Sequence, residues 1–115
     1  MSKTNLKLKY MQIAASKAVD CMKYVQGLLK PGITEISIAK KITIWFLKHD
    51  CDGNSFDPIV AFGKNSADPH HKPSNYKLKP NEHIVVDLGC VYKNYCSDIT
   101  RTFFPPIKYL SLEMI

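Results

Sequence analysis

Two aspartates, Asp87 and Asp98, stand eleven positions apart in the stretch HIVVDLGCVYKNYCSDITRTFF, His83 to Phe104. Each lies in a run of β-branched and aromatic residues that suits a half-buried pleated surface. A polar turn around Tyr92 to Asn94 separates the runs, so they read as the arms of a hairpin. If Tyr92-Lys93 is the loop, the aspartates are directly opposite. If Lys93-Asn94 is the loop, they are diagonal but share a face, and a bulge would break that parity. Opposed carboxylates with Cβ atoms about 5 Å apart repel by roughly 3 kcal/mol at an effective dielectric near ~20. A shared proton, a basic partner such as Arg101, or a divalent cation held by oxygen ligands would offset this. A purely structural reading has Asp87 capping a turn at Leu88-Gly89 and Asp98 pairing with Arg101.

The elements that must position these carboxylates follow from periodicity. From about Leu6 to Leu29 the apolar residues Met11, Ala14, Ala18, Met22, Val25 and Leu29 recur at helical spacing. Lys30-Pro31-Gly32 ends that helix, because proline cannot continue the ladder. Thr34 is then a candidate N-cap, with Glu35 near the positive end of the helix dipole. The second helix runs to His49 and buries Ile38, Ala39, Ile42, Trp45 and Phe46. CDGNSFD is turn chemistry around Gly53. PIVAFG, Pro58 to Gly63, is a short apolar strand. The polar loop KNSADPHHKPSNYKLKPNE follows, and a loop of that length in a small domain is often functional. Helix, helix, strand, long loop and hairpin give an α+β domain.

The 115 residues fit one small domain, and 45% apolar composition supports an ordinary core. The net charge of +6 raises the question of nucleic acid. The lysines are scattered, however, and Arg101 is the one arginine, so no nucleic-acid partner is expected. No C-x-x-C occurs among Cys21, Cys51, Cys90 and Cys96, which argues against zinc-ribbon and redox motifs. No secretory signal or membrane-spanning run is read, and a reducing cytoplasmic setting is expected. His49 is read as solvent-facing or a dipole partner, His83 as structural, and Cys90 and Cys96 as packing residues.

The segment from Gly32 to Phe104 resembles the pita-bread metallopeptidases, above all their Xaa-Pro dipeptidase (prolidase) and aminopeptidase P branch. The matching pieces are GITE (Gly32–Glu35), SFDPIVAFGKNSADPHH (Ser55–His71), VVDLG (Val85–Gly89) and YCSDITRTFF (Tyr95–Phe104), in family order. Methionine aminopeptidases share the fold and the paired aspartates, but their wording around the loop and hairpin is less similar. The resemblance implies a creatinase/aminopeptidase fold and a site with two divalent ions. Asp87 would bind one ion and Asp98 would bridge both. Manganese is favoured, with cobalt, iron or zinc also suited to such ligands. His70 would lie beside the substrate and assist at the scissile amide, His71 falls where the pattern is looser, and Thr100 would support the metal site. The implied substrate is a peptide with proline at its second position.

The resemblance also implies five metal ligands, of which this chain shows two. A histidine and two glutamates would lie in the second half of the domain, whereas Glu113 is the one acidic residue after Arg101. Residues 1–115 therefore read as the amino-terminal half of a catalytic domain, inactive alone, with self-association or a missing second half expected. The alternative function is a non-catalytic fragment or binding module of the same fold.

Overall fold

The computed structural model describes residues 2–104, so Glu113 and the rest of the tail lie outside the described residues. Helix α1 spans Lys3–Leu28, with the Ser2 hydroxyl accepting from the Asn5 N–H at 3.1 Å as its N-cap. Its buried stripe is Ala14, Ala18, Cys21, Met22 and Val25. Met11 belongs to the same periodicity but is 46% exposed; at this level of α1 it is Tyr10, four residues before Ala14, that packs on the sheet, against Tyr92 and Tyr95. Helix α2 spans Glu35–Lys48 and buries Glu35, Ile38, Ile42 and Phe46. His49 caps its end, stacking on Trp45 at 3.8 Å between ring centres while its Nδ1 meets the Trp45 carbonyl at 2.7 Å.

Six short strands follow: β1 (Gly53–Asn54), β2 (Ile59–Phe62), β3 (Ile84–Leu88), β4 (Cys90–Tyr92), β5 (Tyr95–Cys96) and β6 (Ile99–Phe103). They form two antiparallel three-stranded sheets, β1-β4-β5 and β2-β3-β6. The turn signal at Gly53 therefore contains a minimal strand that sequence periodicity does not show. A 3-10 turn, Gly63–Ala67, opens the long connection from β2 to β3.

The hairpin loop is Lys93-Asn94, since Val91 faces Cys96 and Tyr92 faces Tyr95. Both loop residues have positive φ, 50° and 72°, as a type I′ turn requires. Of the two registers open to the sequence, the structure thus selects the diagonal one. Ile84, Val86 and Leu88 point into the core, and Phe103 closes it from β6. Among the core thiols, burial pushes Cys21 and Cys51 up to about 12, so they act as small apolar groups. Cys90 is buried as expected; Cys96, read as a packing residue, is exposed at the hairpin end, because it points to the side opposite Tyr95, whose ring packs on Tyr10 of α1.

The hairpin passes from one sheet to the other at Gly89 and Ser97. The Ser97 N–H donates to the Cys90 carbonyl at 2.9 Å, and the Cys90 N–H donates to the Ser97 hydroxyl at 3.1 Å. Ser55 pins the crossing: its N–H donates to the Gly89 carbonyl and its hydroxyl to the Ser97 carbonyl, at 3.0 and 2.8 Å. A Cβ on Gly89 would lie 1.9 Å from the Ser97 carbonyl oxygen. Backbone cannot yield as a flexible side chain does, so Gly89→Ala should lower stability by about 1–3 kcal/mol. Urea denaturation checks this, and an unchanged midpoint would contradict so close a crossing.

Candidate metal centre

Antiparallel register decides which side chains share the sheet face away from the helices. Ile59 pairs with Asp87, and Asp87 with Thr100. Paired residues point to the same side of a sheet, as do residues two apart on one strand. Asp98, two residues before Thr100 and directly after the pinned crossing, therefore lies diagonal to Asp87. At this diagonal the Cβ separation is about 7–8 Å or less, within reach of two carboxylates. Asp87 is half-buried, whereas Asp98 and Thr100 are exposed.

Asp87 Oδ1 is buried without a hydrogen-bond partner. A buried oxygen left this way costs about 1–3 kcal/mol. Burial first, then the neighbouring Asp98 carboxyl, push the Asp87 pKa up from 3.8 to about 6, against an opposing contribution from the Thr100 hydroxyl. Arg101 does not relieve this. It pairs with Val86 on the opposite side of β3, and its guanidinium donates to the Thr100 carbonyl at 3.0 Å. The structural reading of Asp98 as an Arg101 partner thus fails on parity. An all-oxygen pair with a bare buried oxygen fits a hard or borderline divalent cation. No third histidine, cysteine or acidic side chain joins the two aspartates in a metal-binding group among the described residues.

His70 lies in the β2–β3 connection. It is exposed, and its N–H donates to Asp68 Oδ1 at 2.9 Å. His71 turns the other way, its Nε2 meeting Glu35 Oε1 at 2.8 Å. Glu35 is fully buried. Its Oε1 also accepts from the Ser74 N–H and hydroxyl at 3.1 and 2.7 Å, and its Oε2 from the Phe62 N–H and Asn65 Nδ2 at 2.8 and 3.0 Å. Burial would raise this carboxyl. The hydrogen bonds from His71, Asn65, Phe62 and Ser74 overcome it and hold the pKa below the ordinary value. Helix-dipole reasoning places Glu35 at the helix start but misses this network. One signal was legible: Glu35 is in phase with Ile38, Ile42 and Phe46, on the buried stripe. His83, read as structural, is so, with its Nε2 2.6 Å from the Ser66 hydroxyl.

The raised Asp87 pKa has a definite sign. Between pH 3.8 and about 6 the folded chain holds a proton there that the unfolded chain has lost. Stability from this group therefore falls as pH rises through that window. In metal-free buffer, Asp87→Asn should gain stability relative to wild type between pH 4 and pH 7, by about 1–2 kcal/mol after allowing for solvent screening. Urea denaturation of both proteins at the two pH values tests this. A pH-independent difference would contradict it.

Comparison with known proteins bears on the family and the fold. The model of metallopeptidase family M24 matches residues 9–109. A Mycoplasma pneumoniae protein provisionally named an Xaa-Pro aminopeptidase is 48% identical over 95 residues, covering 83% of this chain and 26% of that protein. The Xaa-Pro dipeptidase of Bacillus anthracis superposes with a TM-score of 0.81 at 34% identity, covering 84% of this chain and 27% of its own. The prolidase of Pyrococcus furiosus gives 0.84 at 28% identity, covering 91% and 31%. This chain thus spans about a quarter to a third of the length of the relatives it matches. Its helices and sheets are those of the amino-terminal part of the pita-bread prolidase fold, and the chain belongs to metallopeptidase family M24.

Proposed function

We propose that this chain carries part of the metal centre of an exopeptidase that cleaves Xaa-Pro bonds. The observation that carries the reading is Asp87: a half-buried carboxyl with one buried, unpartnered oxygen beside a second carboxyl on the same sheet face. The named activities of the similar proteins from Mycoplasma pneumoniae, Bacillus anthracis and Pyrococcus furiosus support the choice of substrate. Asp87 and Asp98 would hold the metal. Divalent ions such as manganese supply Lewis acidity and a hydroxide available near neutral pH when bound.

The remaining roles belong to the chain's own side chains. Exposed His70 would donate a hydrogen bond to the substrate as negative charge develops on its carbonyl oxygen, or hold the amide on the leaving side. Thr100, opposite Asp87 on the neighbouring strand, would orient that carboxylate. The two carboxylates are only part of the five-ligand set that the family resemblance implies. A non-catalytic role for these residues taken alone is therefore the second reading, favoured by the absence of a third ligand among the described residues. Self-association, or attachment of further protein, would use the edge of β6, which pairs with no other strand among the described residues, near exposed Phe104.

Manganese titrated calorimetrically into the chain should bind no tighter than about millimolar, since few ligands give low affinity. Asp98→Ala should remove even that binding. The chain by itself should show negligible hydrolysis of an Xaa-Pro dipeptide with manganese present. Robust hydrolysis that survives Asp98→Ala would contradict the proposed site.

A further inference from the structure

The connection between β2 and β3 runs from Gly63 to His83 and contains one short 3-10 turn as its regular structure. A connection of this length pays a large conformational entropy cost to adopt one shape. Its order comes from the first turn of α2. The Glu35 N–H donates to the Tyr76 carbonyl and the Ile36 N–H to the Ser74 carbonyl, at 3.2 and 2.9 Å. The Ser37 N–H goes to the Thr34 hydroxyl at 3.1 Å, and the Ile38 N–H to the Thr34 carbonyl at 3.3 Å. The Ile38 bond is the first ordinary bond of the helix ladder, so the open N–H groups of Glu35, Ile36 and Ser37 are all satisfied, two of them by the loop.

The side chain of Glu35 divides its oxygens between the two flanks of this loop. Oε2 takes the flank before His70, through the Phe62 N–H and Asn65. Oε1 takes the flank after it, through His71 and both donors of Ser74. Between the two anchored flanks the chain turns outward. The His71 N–H donates to the Asp68 carbonyl at 3.1 Å and the His70 N–H to the Asp68 side chain at 2.9 Å. His70 is left facing solvent, one residue from the anchored His71.

We propose that Glu35 is the positioning residue for His70. Its single buried carboxylate ties together the two flanks of the loop, and His71 is the link nearest to His70. The adjacent histidines thereby have separate tasks: His71 turns inward to the carboxylate, and His70 is presented outward. The importance of His70 rests on the function proposed above, but the tie between the flanks does not, so its test uses no catalytic readout.

Amide hydrogen exchange by NMR on the 115-residue chain tests the tie. His71→Leu removes one donor from Oε1 and leaves Glu35 in place, a milder change than Glu35→Gln, which is liable to unfold the chain. If one carboxylate couples the flanks, exchange should rise about tenfold or more at the Phe62 and Asp68 amides, on the far flank, as well as at Ser74 and Tyr76. The Val86 and Leu88 amides of β3 should change by less than about threefold. His71→Gln, which keeps a donor at similar reach, should restore protection on both flanks and return the His70 ring resonances towards their wild-type positions. Loss of protection confined to Ser74 and Tyr76 would overturn the proposal, showing that the flanks are held independently. An equal rise throughout β3 would also overturn it, reducing His71 to a contributor to global stability. So would failure of His71→Gln to restore protection.

Discussion

A carboxylate with no exposure to water must be met by donors from the protein, because an unpaired buried charge costs several kcal/mol. Glu35 meets that constraint with donors from β2, the 3-10 turn and the loop that follows. The first turn of α2, the end of strand β2 and the polar loop consequently form as one unit. The two sheets then close over the apolar stripes of α1 and α2. Hydrophobic burial supplies most of the driving force, but it does not distinguish one loop path from another. The directed bonds to Glu35 do.

Asp87 is the opposite case. It is only half-buried, yet one of its oxygens is buried with no donor and its nearest ionisable neighbour is another carboxyl. Glu35 is held below the ordinary carboxylate range and Asp87 above it. Under the proposed function, the same functional group serves two purposes within one small fold. Where the protein supplies the hydrogen bonds, the carboxylate organises structure. Where it withholds them, the carboxylate is available to a ligand from outside. Ser55 and Gly89 sustain the second case, because the crossing they pin fixes Asp98 on the same face as Asp87.

Much of this was legible in the chain. The stripes Ala14-Ala18-Met22-Val25 and Ile38-Ile42-Phe46 identify both helices, and Thr34 is the N-cap that its residue type and position suggest. The shared face of Asp87 and Asp98 follows from strand parity in either even-length register. What could not be read depends on contacts between distant residues. The choice of Lys93-Asn94 as the loop rests on both residues taking positive φ, which asparagine favours but lysine does not announce. Local pattern gives Glu35 only a dipole role, because its partners lie 27 to 39 positions away. Arg101 was a plausible partner for Asp98 by sequence distance, and the pleat sends it to the other side. The outward and inward turns of His70 and His71 are likewise set by the Glu35 network rather than by their own sequence.

The central claim is that Asp87 and Asp98 act together as one cation site. Carboxyl carbon NMR with a diamagnetic ion, Zn²⁺, tests it most directly. Both resonances should shift with a common midpoint, while those of exposed Asp50 and Asp52 stay in place, and Asp98→Asn should abolish the shift at Asp87. A shift at only one of the pair, or equal shifts at Asp50 and Asp52, would contradict it.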